Sequence, residues 1–180
     1  VEKYMSWIQT VTGKHFNFIN TDPASICIED IAAALSNICR FTGHLPDFYS
    51  VAQHSVHVSY LVPAEFALEG LLHDAQEAYC SDINSPLKSL LPDYREVEER
   101  IDTVIRRKYG LPPAITTPVK YADLIMLATE RRDFDLDDGT PWPCLEGIPC
   151  AGFTMSPLNP RQARVLFLNR YNQLMGKHHA

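Results

Sequence analysis

The chain has 180 residues, 46% hydrophobic and 21% charged, which suits one domain around a single core and excludes a disordered chain. Its formal net charge of -6 lacks the basic footprint of a protein that tracks a nucleic-acid polymer or an anionic membrane; local positive charge can still meet a small anion. No run of roughly 18 apolar residues and no charged leader with an apolar core is present, so no membrane partner is expected.

Five cysteines (Cys27, Cys39, Cys80, Cys144, Cys150) form no C-x-x-C pair. Their odd number fits a reducing, cytoplasmic setting better than a disulfide framework. Met5 is a candidate natural start.

In chain order, WIQTVTGKHFNFI alternates apolar and polar residues around Thr12-Gly13-Lys14, which predicts a short β-hairpin within residues 1–20. After Asp22-Pro23, Ile28, Ile31, Leu35 and Ile38 recur at helical spacing, predicting an amphipathic helix that ends before Gly43. VAQHSVHVSYLV predicts a second helix, with Val51, His54, Val58 and Leu61 on its inward stripe. A third follows Pro63 and carries GLLHDAQEAYC, with Leu68, Leu71, Ala75 and Ala78 on one side and Gly70, His73, Asp74 and Glu77 on another.

Ser81 to Pro86 reads as a turn region. Asp93 to Tyr109 is a charged amphipathic helix whose Glu and Arg residues form a solvated face, stopped by Gly110. From Thr117-Pro118 a fifth helix places Val119, Asp123, Leu127, Glu130 and Phe134 on one stripe. Residues 137–160 turn to Pro, Gly and Cys, an irregular segment of the length that often covers a site. Asn159-Pro160 then opens a last helix, over 160–175. The expected fold is all-α with a short N-terminal β-hairpin and a helical core over 25–135.

Four positions on these helices aim ionisable groups at the interior: His54, His73, Asp74 and Asp123. Each alone has an ordinary explanation. An inward histidine is most often a core residue bonded to a carbonyl. Asp74 could partner His57 or lie on the surface, and Asp123 could pair with Arg131 or Lys120. Together they are harder to place, because a buried carboxylate costs several kcal/mol in a domain whose net stability is about 5–15 kcal/mol. One divalent cation offsets both carboxylates and takes lone pairs from both imidazoles. A donor set without thiolate suits Mn, Fe, Co, Ni or Zn.

The order His54, His73-Asp74 and Asp123 on successive helices resembles the HD-domain family of metal-dependent phosphohydrolases. SVAQHSVHVS, LLHDAQEAYCSDINSPLK and VKYADLIMLATE are similar to the first-histidine, HD and last-aspartate helices of its bacterial 5′-deoxynucleotidase branch. The resemblance implies an HD-domain helical bundle in which those four residues bind one divalent metal, and a metal-activated water that attacks phosphorus. It implies a small nucleotide substrate, first a deoxynucleoside 5′-monophosphate, and a homodimer.

On the same resemblance, Arg40 sits near the substrate phosphate and Asp82 faces the sugar. Glu77, a turn beyond His73, is expected to orient water or pass a proton, with holding a ligand imidazole as its alternative. Lys88 could assist with phosphate, and His57 is either a phosphate contact or a packed flank residue. Arg40 has the rival role of capping its own helix, Asp82 that of a turn residue, and Lys88 that of a solvated lysine. Removal of triphosphate from a deoxynucleoside triphosphate, or metal-stabilised binding without turnover, are the alternative functions. No P-loop or Gly-rich nucleotide fingerprint is present.

Overall fold

Alternation in the first segment produces a hairpin because one face finds a core to enter. Strands β1 (Trp7–Gln9) and β2 (His15–Asn17) pair antiparallel with Ile8 opposite Phe16. Gly13 takes the left-handed φ of 85° in the turn, a conformation favoured by glycine. Phe16 is fully buried and stacks on Tyr79, and Thr12 clamps the turn to Asp30 through its N–H (2.9 Å) and hydroxyl (2.8 Å). This computed structural model describes residues 4–176; the outermost residues of the expected 1–180 domain lie outside that range.

Among the described residues the other main elements are helices, joined by irregular segments: α1 (Ile28–Asn37), α2 (Val51–Leu61), α3 (Ala67–Leu72), α4 (Glu77–Cys80), α5 (Ser85–Lys88), α6 (Pro92–Lys108), α7 (Thr117–Asp133) and α8 (Pro160–Gly176). Ser50 caps α2, accepting from the Gln53 N–H at 3.1 Å. That helix runs through the middle of the molecule. One core joins Ile31, Leu35, Val56, Leu71, Ile101 and Phe167; a second gathers Tyr49, Val58, Val119, Met126 and Phe134 on the side of α7. Asn159 caps α8 as its sequence suggests, accepting from Gln162 N–H at 2.9 Å. Among the described residues no helix is long and apolar enough to cross a membrane.

Three expectations change. The first helix ends before Gly43 as expected but stops at Asn37 instead of running on to Arg40, because Ile38 turns extended and the next residues pair with the entrance to α2. Arg40 N–H bonds Tyr49 O (2.8 Å) and Val51 N–H bonds Ile38 O (3.1 Å). Arg40 therefore caps no helix of its own. Phe41 and Thr42 then both adopt φ of 55°, a left-handed conformation that costs about 1–2 kcal/mol per residue outside glycine.

The HD stretch is likewise not one helix. His73 to Gln76 form tight turns between α3 and α4, with i to i+3 bonds from Ala75 N–H to Leu72 O and from Glu77 N–H to Asp74 O, both 3.0 Å. His73 Nδ1–H donates to Gly70 O at 2.7 Å, the carbonyl that an α-helix offers to the N–H of Asp74. The helical angles assumed for Glu77 relative to His73 thus do not hold.

The third change concerns α6, whose charged face is partly internal. Arg106 is buried, pairing with Glu69 (3.1 Å) and Asp102 (2.8 Å).

The 137–160 segment packs along α7. Ala151 N–H bonds Thr129 Oγ1 (2.8 Å), and Met155 N–H bonds Asp133 Oδ2 (2.8 Å). Gln53 reaches it from α2, donating to Ser156 O and accepting from Leu158 N–H. All five cysteines are free thiols.

Candidate metal centre and its cleft

The centre forms where α2, the α3–α4 turn and α7 meet. Gly70 eases the approach: a Cβ there would come to 3.1 Å from Ser59 Cα, a tight contact that α2 and α3 would have to relieve by moving a few tenths of an ångström apart. The imidazoles of His54 and His73 consequently face each other, with ring centroids 5.5 Å apart. Asp123 from α7 completes a group of three whose donor atoms all lie within 4.8 Å of one another. Its Oδ1 is 3.0 Å from His54 Nε2 and 3.8 Å from His73 Nε2. Asp74 Oδ2 is 3.1 Å from His73 Nε2 and 3.8 Å from His54 Nε2. Asp123 pairs with neither Arg131 nor Lys120, and Asp74 turns to the histidines rather than to His57.

Proton placement decides what this cluster needs. His54 Nδ1 lies 2.5 Å from Glu130 Oε1 and His73 Nδ1 lies 2.7 Å from Gly70 O, both acceptors, so each neutral ring carries its proton on Nδ1. The lone pairs are then on Nε2. Both Nε2 atoms are buried, near carboxylate oxygens, and make no hydrogen bond. Lone pairs facing carboxylates repel unless a positive charge stands between them.

The same field is visible in the ionisation of the groups. Burial and Arg40 push the His54 imidazole down, yet Glu130 and Asp123 prevail and hold it above its ordinary value. His73 is likewise raised well above it, against burial, by Asp74 and Asp123. Asp123 is held well below the usual carboxylate range, against burial, by the two imidazoles. A region that retains a proton on nitrogen this strongly also attracts a divalent cation. Two imidazole nitrogens with flanking carboxylates therefore fit a divalent metal of the borderline class.

The centre lies along a cleft of about 940 Å³ whose polar lining includes Arg40, Asp74, Glu77, Asp82, Lys88 and Asp123. Glu77 is 5% exposed, and its buried Oε2 has no hydrogen-bond partner. Burial, then Asp74 and Asp82, pushes its carboxyl well above the usual range. Burial and Asp74 also raise Asp82, in part offset by Arg40. Lys88 reaches the wall but donates to Glu98 at 2.8 Å, so part of its charge is already paired.

His57 is not brought there. One turn along α2 from His54, it points instead toward the irregular segment and stacks on Phe153, with centroids 5.2 Å apart. It is a packed flank residue.

The apolar wall includes Phe41, Ile83, Leu136, Pro141 and Trp142. Part of the 137–160 segment thus does border the site. Trp142 is pinned by the Arg131 guanidinium, 5.0 Å from its ring centroid, while Arg131 holds Asp137 (2.6 Å) and Thr140 O (2.8 Å). Thr42, in its left-handed conformation, accepts from Asn84 Nδ2 at 3.1 Å.

Sequence reading missed Glu130 and Tyr49 as members of the site. Glu130 is fully buried and pairs with Arg40 Nη2 at 2.9 Å, while Tyr49 OH donates to its Oε1 at 2.9 Å. A signal for Glu130 existed: it follows Asp123 by seven residues, two turns along the same face of α7. Tyr49 had none, because its position depends on the bridge between Cys39 and Ser50.

No family model matches the chain. A Rhodobacter capsulatus chain, Uncharacterized protein RCAP_rcc00048, is 32% identical over 127 residues, 65% of each chain. Uncharacterized protein YfdR of Escherichia coli (strain K12) is 63% identical over 171 residues, 94% of this chain and 96% of YfdR. Identity at that level along nearly the whole of both chains makes this protein a member of the YfdR family.

Proposed function

We propose that the protein is a metal-dependent phosphohydrolase of the HD-domain type, acting on a small nucleotide and first on a deoxynucleoside 5′-monophosphate. The observation that carries this reading is the pair of buried Nε2 lone pairs opposed to carboxylates at the edge of a cleft that also holds Arg40. His54, His73 and Asp123 would hold the cation, with Asp74 beside both imidazoles as a fourth donor. When bound, such a cation acidifies water and screens the negative charge of a phosphate.

The chain's own groups supply the rest. Arg40 commits Nε and Nη2 to Glu130; its Nη1 has no hydrogen-bond partner among the described residues and is available to a phosphate oxygen. Glu77 keeps its proton at a pH where an ordinary glutamate has lost it. It can pass that proton to the ester oxygen as the P–O bond breaks, water having supplied the new oxygen on phosphorus. Asp82, in the cleft lining, would accept from a sugar hydroxyl. The lining also offers Phe41 and Trp142, aromatic surfaces suited to a planar base. A cleft lined by both charged and aromatic residues matches a nucleotide better than a bare phosphate ester. A homodimer belongs to the same proposal.

The test is phosphate release from deoxynucleoside monophosphates by purified protein with added Mn²⁺ or Co²⁺. Triphosphates run in parallel, with release of the intact triphosphate chain as the alternative outcome. His73→Ala should lower the rate by at least about 10³-fold, equivalent to about 4 kcal/mol of barrier. Equal rates in the two proteins refute the assignment, and metal uptake without turnover on any nucleotide reduces it to a binding module.

A further inference from the structure

Glu130 lies on the opposite side of His54 from Asp123 and Asp74, so it is not itself a donor to the same point. Its two oxygens divide their work. Oε1 accepts from His54 Nδ1–H (2.5 Å) and the Tyr49 hydroxyl (2.9 Å), whereas Oε2 accepts from Arg40 Nη2 (2.9 Å) and Nε (3.3 Å). Every one of these groups reaches it from the segment Arg40 to His54, while Glu130 itself comes from α7.

We propose that Glu130 is the positioning residue of the site: one carboxylate holds His54 as an Nε2 donor and simultaneously aims Arg40, tying cation binding and phosphate binding to a single side chain. The inference rests on reading the cleft as a metal and phosphate site. With Nδ1–H on an acceptor-only carboxylate, the ring cannot turn over without putting a C–H in place of that donor, nor shift its proton to Nε2 without facing a lone pair to Glu130. The carboxylate also makes the ring a stronger donor. On the other oxygen, capture of Nε and Nη2 fixes the guanidinium plane and leaves Nη1 on the cleft side. Were Glu130 only the counter-charge of a buried arginine, its removal would disturb Arg40 and leave the metal centre as it was.

Two binding measurements separate these roles without turnover: calorimetry with Mn²⁺, and with inorganic phosphate on the Mn²⁺-saturated protein, for wild type, Glu130→Gln and Arg40→Met. Glu130→Gln should weaken Mn²⁺ about 10- to 100-fold and phosphate as well. Arg40→Met should weaken phosphate about 10-fold yet keep Mn²⁺ affinity within about threefold, as loss of a charge-assisted phosphate contact requires. Mn²⁺ affinity in Glu130→Gln equal to wild type overturns the proposal.

Should that variant not fold, the Zn²⁺-loaded wild type is read by ¹⁵N-resolved NMR. The His54 Nδ1 proton is expected at low field and slow to exchange; exchange as fast as an exposed imidazole overturns the proposal. Wild type that binds Mn²⁺ and phosphate but hydrolyses no nucleotide ends the phosphohydrolase reading alone. Wild type that takes up no Mn²⁺ overturns both.

Discussion

Among the described residues two buried ionic clusters can be compared, and they differ in how far their polar groups are satisfied. In the first, Glu69 accepts from Arg106 Nη1 (3.1 Å), Thr116 N–H (2.9 Å) and Thr116 Oγ1 (2.6 Å), and Arg106 also donates to Pro112 O (3.0 Å) and Asp102 (2.8 Å). Both members of the central pair are nearly inaccessible, and Asp102 Oδ1 alone is left without a partner. The cluster ties α3, α6 and the start of α7 together. In the second, both histidine Nε2 atoms and Glu77 Oε2 are buried without partners, beside an open cleft. Satisfied polar groups hold a fold; unsatisfied ones that converge on a cleft await a ligand.

The comparison breaks most sharply through Glu69→Ala. Leaving Arg106 buried beside a single partially paired aspartate should remove about 3–5 kcal/mol, lowering Tm by about 10 °C, with Mn²⁺ affinity unchanged. Scanning calorimetry and a metal titration check both halves.

Adding Mn²⁺ at about 100 times its Kd should raise stability by about 2.7 kcal/mol, an upward Tm shift of several degrees that vanishes in His73→Ala. An equal shift in both proteins would place the cation elsewhere.

A smaller effect belongs to the apolar wall. Trp142→Ala should raise KM about 10-fold for a deoxynucleoside monophosphate, as lost base stacking worth about 1–3 kcal/mol implies, with kcat nearly unchanged. The reverse pattern would take the base away from that wall.

The mildest test uses pH. The folded pKa of Glu77 lies above its unfolded value, so the folded state holds the extra proton and stability falls as pH rises from near 4.5 through the folded pKa. Glu77→Gln cannot lose a proton. In the metal-free protein it should raise Tm at pH 7 by about 3 °C, the equivalent of about 1 kcal/mol in a domain of this size, with little change at pH 4. Equal Tm values at both pH values would show that Glu77 is ionised without penalty.

Spacing alone was enough to read the hairpin, the spans of α2, α6, α7 and α8, and the inward aim of His54, because those elements follow local periodicity and end at local signals; Asp123, expected inside, lines the cleft with its side chain 41% exposed. It misread the HD stretch as one helix: His73 takes the Gly70 carbonyl for itself, a choice made by side-chain hydrogen bonding rather than by hydrophobic pattern. It also ran the first helix through Arg40, since the Cys39–Ser50 bridge that ends it pairs residues from two different segments. His57 and His54 share a helix and a residue type, and only what each side chain meets, Phe153 or a carboxylate, separates them.

By itself the sequence singled out four ionisable groups, and carried His54 inward on an amphipathic helix, since burial of an apolar stripe takes along a residue that shares its face. Tertiary structure alone decided that three of them meet within 4.8 Å, that both Nδ1 protons are claimed from behind, and that Glu130 joins Arg40 to His54. Such facts depend on distances between segments up to ninety residues apart. Those distances are set by close packing, by the bare face of Gly70 among other contacts, and local periodicity carries no record of them.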